Sequence, residues 1–98
     1  MPHPIRPRGP MHLDTAQAIA LAGIAFLAED PARLRRFLDL TGLSPTALRN
    51  QIATPELQGA ALEHLAADES LLLAFAANRG LDPETIAPAL RVLQAASR

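Results

Sequence analysis

The residues best placed for chemistry are His64 and Asp68. They stand four positions apart, so on a helix they share a face, and a carboxylate there can orient an imidazole for general-base work. Such a base needs a nucleophile or a metal ligand beside it. Ser44, Ser70 and Ser97 fall at a helix cap, in a first helical turn and at the C-terminus, none in a strand–turn–helix elbow. The chain has no cysteine, which removes thiol catalysis, thiolate metal sites and disulfides. Glu63 points away from His64 around the helix. His64 therefore reads as a half-buried packing histidine near a helix end. His3 and His12 lie in or beside an N-terminal segment with no further ligands to complete a metal site.

Two acidic pairs, Glu29-Asp30 and Asp68-Glu69, suggest paired-carboxylate catalysis only if they converge across a cleft. Both stand at helix starts, where capping and favourable interaction with the helix dipole explain them, as for Asp82 and Glu84. Arg33, Arg35 and Arg36 form a basic cluster. Arg33 and Arg36 share a helix face, and the plainer account is a solvated face with Asp39 as ion-pair partner. Residues 34–51, with Thr41-Gly42-Leu43-Ser44-Pro45 at the turn, resemble a helix-turn-helix that would present Thr46, Arg49 and Asn50 to a major groove. The short second helix and the net charge of −1 argue against nucleic acid. The glycines at 9, 23, 42, 59 and 80 are isolated and form no phosphate loop. The expectation is no catalytic residue, no cofactor and no metal site.

The elements that must position these residues are helices. Of 98 residues, 20 are Ala and 17 are Leu, both strong helix formers, while β-branched residues are scarce. The longest apolar run, Ala18 to Ala28, has 11 residues, against about 20 for a membrane span. The absence of both cysteine and a signal-peptide pattern points to a cytoplasmic protein. Residues 1–13 hold four of the nine prolines and no apolar periodicity, and are expected to form an extended tail. Residues 14–98 are expected to form a single all-α domain of six short helices.

Helix starts and stops can be placed from the caps. Asp14, with Gln17 three residues on, has the capping-box pattern for a first helix to about Ala28. Asp30 caps a second helix, with Pro31 at its first position, and Gly42 ends it in the left-handed region. Ser44-Pro45 and Thr54-Pro55 open the third and fourth. Asp68 caps a fifth that Gly80 terminates, and Asp82-Pro83 opens the last, which Pro88 should kink or delay.

A step of 38 residues superposes Leu27-Ala28-x-Asp30 on Leu65-Ala66-x-Asp68. It also places Leu34 and Phe37 on Leu72 and Phe75, and Gly42-Leu43-x-Pro45 on Gly80-Leu81-x-Pro83. Eight of the 23 positions from Phe26 to Leu48 match. The expectation is two repeated helical units, about 14–52 and 53–90, packed with pseudo-twofold symmetry. Their core would hold Phe26, Leu34, Phe37, Leu43, Leu72, Phe75 and Leu81. Gly23, within the nearly all-apolar first helix, would let a neighbouring backbone approach.

The pattern Phe26-Leu27-Ala28-x-Asp30, Arg36-Phe37-Leu38-x-x-Thr41-Gly42-Leu43 and Asp68-Glu69-x-Leu71-Leu72-x-Ala74-Phe75 resembles the uncharacterised family known as domain of unknown function 3572. The resemblance covers about residues 14–88. It implies a small helical protein of alphaproteobacterial type, and no active site, ligand or partner. The functional expectation therefore rests on surplus apolar helix surface at Ala18–Ala28 and Leu71–Ala77. It is a non-enzymatic adaptor that binds a protein partner or itself, with nucleic-acid binding through residues 44–51 as the alternative.

Overall fold

The computed structural model describes residues 11–98, and the expected tail, His3 included, lies outside them up to residue 10. Six α-helices follow: α1 (Leu13–Ala28), α2 (Pro31–Thr41), α3 (Pro45–Gln51), α4 (Pro55–Ala66), α5 (Glu69–Arg79) and α6 (Ile86–Ala96). No strand occurs among the described residues. The fold is all-α.

The caps account for most of these ends. The side chains of Asp30, Ser44, Thr54, Asp68 and Asp82 each accept a hydrogen bond from a backbone N–H two or three residues on. Asp14 does not. α1 starts two residues earlier than a cap at Asp14 would place it, at Leu13, with His12 in the N-cap position and no side-chain cap. Asp14 instead lies in the first turn, where its charge still complements the helix dipole. Gln17 does not close a capping box, because its amide turns to Gln58 on α4. Met11 packs against the core, so residues 11–13 join the fold rather than the tail.

Gly42 and Gly80 end α2 and α5 with φ of 75° and 66°. The N–H groups of Leu43 and Leu81 reach back to Leu38 and Ala76 carbonyls, the Schellman closure. Asp82-Pro83 opens a single 3-10 turn, Pro83–Thr85, before α6 begins. Pro88 thus falls in the first turn of α6, where a missing N–H is tolerated, and it delays the helix rather than kinking it.

α1, α4 and α6 pack against one another; α2 leans on α1, and α5 on α4 and α1. Phe26, Phe37 and Phe75 are buried as expected. Leu34, Leu43, Leu72 and Leu81 correct that expectation. They are partly exposed and edge the core, because α2, α5 and their closing turns lie outside the central trio. The interior is filled instead by Leu27, Leu62, Leu65, Ile86 and Leu93. Gly23 meets side chains rather than backbone: a Cβ there would lie 2.9 Å from Leu65 Cδ1 and 3.7 Å from Phe75 Cζ.

The caps and Gly turns recur at the 38-residue spacing, but the third helices of the two units differ. α3 buries only Leu48, whereas α6 stands at the centre of the molecule. Matching local devices here serve unequal packing roles.

Candidate functional site

α2 carries Arg33, Arg36 and Leu40 on one stripe, spaced i, i+3 and i+7. The C-terminal end of α4 supplies His64 and, just past it, Ala67. The cap and first turn of α5 supply Asp68 and Leu71. Together these seven residues line a cleft of about 280 Å³. The basic cluster and the His–Asp pair, separate features along the chain, thus meet in one place. Arg35 points away from it and is exposed.

Each charged group in the cleft has a distinct setting. The guanidinium of Arg33 lies 4.7 Å from the Phe26 ring centroid, a cation–π contact, and its Nε is 3.7 Å from Asp30. Asp30, not the expected Asp39, is therefore the ion-pair partner. Arg36 makes no ion pair among the described residues. Asp68 accepts from the Leu71 N–H, so one carboxylate oxygen is engaged in closing α5. The His64 ring stands edge-on to Phe37, with centroids 5.2 Å apart. Partial burial and then the Arg36 charge hold the imidazole below its usual pKa, against an opposing pull from Asp68.

No hydrogen bond joins His64 to Asp68 among the described residues, and no hydroxyl or thiol lines the cleft. No group of three or more His, Cys, Asp or Glu among the described residues could hold a metal ion. The other acidic pair is divided: Asp30 caps α2 while Glu29 pairs with Arg79 at 3.0 Å, tying α1 to α5.

Two further surfaces matter. On α1, Ala18, Leu21, Ala25 and Ala28 are exposed along one flank, Leu21 at 42%. α3 presents Thr46, Arg49 and Asn50 to solvent. The residue that the sequence reading missed is Gln58, 2% exposed, whose amide accepts from Gln17 and donates to the Ile52 carbonyl. A polar residue at an interior helix position leaves no periodic signal that separates it from a surface glutamine.

These features define a small six-helix domain with a charged cleft at the junction of α2, α4 and α5. The chain belongs to the family described as "Protein of unknown function (DUF3572)", whose model matches residues 13–96. No curated protein and no solved structure matches it. No helix among the described residues is long and apolar enough to cross a membrane.

Proposed function

We propose that this chain is a non-enzymatic helical interaction module that docks a helix, from a protein partner or a second copy of itself, along the outward flank of α1. The observation that carries this reading is the chemistry of that flank. Ala18, Leu21, Ala25 and Ala28 recur at i, i+3, i+7 and i+10, and no charged residue stands on α1 after Asp14. From Thr15 to Ala28 that is roughly 20 Å of uncharged helix. Small side chains there let a partner helix approach closely, and Leu21 supplies an apolar knob. The other flank of α1 is buried against α4 and α6, so the helix is held rigid for docking.

The test is co-purification of the full chain at native expression level, with light scattering of the purified protein. A stoichiometric protein partner, or a dimer, should be retained and should be lost in Leu21→Arg while the melting temperature holds. A monomer that retains no protein ends this reading.

A second reading is nucleic-acid binding through residues 44–51. The exposure of Thr46, Arg49 and Asn50 supports it, as does the local charge: residues 31–53 carry four arginines against Asp39 alone. It expects salt-dependent retention on DNA that Arg49→Ala abolishes. Elution of the parent chain at the same salt as a neutral control protein sinks it.

A further inference from the structure

We propose that the cleft between α2, α4 and α5 is a binding site for a small organic oxyanion, a carboxylate or phosphate monoester with a short apolar body, held chiefly by Arg36 with Arg33 and His64. This site is separate from the α1 flank and does not depend on it.

The charge balance of the cleft points to an anion. Two guanidinium groups line it against one carboxylate, and that carboxylate, Asp68, already accepts a hydrogen bond from the α5 backbone. Arg36, without an ion-pair partner among the described residues, can offer a carboxylate or phosphate two parallel donors. Arg33 is steadied on the Phe26 face, and its charge is partly answered by Asp30, 3.7 Å from Nε, so Arg36 is the cation that a ligand would meet unpaired. His64 is braced by the Phe37 ring, so an incoming group meets a fixed imidazole.

Size and lining set the rest of the ligand. A volume of about 280 Å³ falls just below the usual range for drug-sized ligands, so the ligand must be small. Leu40, 68% exposed, and Leu71 supply an apolar wall beside the cations. Asp68 also lines the cleft, close enough to act on His64, and disfavours a ligand that carries more negative charge than the two arginines offset. An oxyanion next to His64 favours the protonated imidazole, so occupancy should raise the His64 pKa and turn the ring into a second donor.

The test follows the His64 ring signals by NMR in the full chain at constant ionic strength, titrating phenyl phosphate and, separately, inorganic phosphate. Saturable shifts with phenyl phosphate are expected, with a raised His64 pKa at saturation. Arg36→Gln, at an exposed position, should weaken binding roughly tenfold, the loss of a charge-assisted pair. Tighter binding of phenyl phosphate than of phosphate would report the apolar wall. Shifts that stay linear to about 50 mM, far weaker than millimolar affinity, overturn the proposal. So does an affinity for phenyl phosphate that Arg36→Gln leaves unchanged.

Discussion

His64 packs edge-on against Phe37, ring centroids 5.2 Å apart, and a 38-residue step turns this contact into that of Phe26 with Phe75, at 5.5 Å. Each half of the chain lends one ring to each contact. The difference is chemical: where one contact has two phenyl rings, the other has an imidazole beside a cleft. A position that packing would fill with phenylalanine holds a titratable, partly exposed group instead.

His64→Phe should therefore stabilise the fold. It removes a polar ring that is partly desolvated and restores an aromatic pair, a gain of about 0.5–1.5 kcal/mol. Urea denaturation of the two chains measures it, and a loss of stability would show that the cleft needs the imidazole for packing. The same variant should weaken the binding of phenyl phosphate by less than Arg36→Gln does.

The pH dependence has a definite sign. His64 is held below 6.5 in the folded chain, by burial first and Arg36 second, while Asp68 opposes both. The unfolded chain then binds the proton more tightly. The His64 contribution leaves stability intact above pH 6.5, lowers it as pH falls through 6.5, and levels off below the depressed folded pKa. Arg36→Gln should raise the His64 pKa, read directly from its ring resonances. An unchanged or lowered value in that variant contradicts the assignment of Arg36.

Two buried helical glycines should respond differently to alanine. A Cβ on Gly59 would meet Leu93 Cβ at 3.8 Å, an ordinary contact, so Gly59→Ala should stabilise by about 0.5–1 kcal/mol through helix propensity. At Gly23 the added Cβ would stand 2.9 Å from the buried Leu65 Cδ1. Crowding of about 1–3 kcal/mol offsets the propensity gain there, and Gly23→Val should be clearly destabilising. Equal melting temperatures for the two alanine variants would refute the close approach of α1 to α4.

Caps give a similar contrast. Ser44→Ala and Asp68→Ala should each cost about 1 kcal/mol by orphaning a first-turn N–H, whereas Asp14→Ala should cost only a few tenths through the dipole. Parallel thermal melts distinguish them. An Asp14→Ala loss as large as that of Ser44→Ala would mean that α1 is capped by Asp14 after all.

The amino-acid sequence by itself determined the local architecture: six helices, the capping residues of four of them, and both glycine turns, while Asp82 caps the 3-10 turn that precedes α6 rather than α6 itself. These devices act over two to five residues, so composition and spacing reveal them. Asp14 failed as a cap because a capping-box pattern also fits a side chain, Gln17, that a distant partner claims. The buried phenylalanines were legible because so few large rings exist to fill a core made of alanine and leucine.

Only the tertiary structure decided which surfaces meet. It joined Gln17 to Gln58, 41 residues apart, and Glu29 to Arg79, 50 apart. It left one flank of α1 bare although the helix is apolar nearly all round, because α4 and α6 cover only the other. It also drew Arg33, Arg36, His64 and Asp68 from three helices into one cleft. Apolar periodicity reports that a face wants burial, but which face is covered depends on how helices remote in the chain cross. That crossing is set by the summed packing of the core, in which no single residue carries the information.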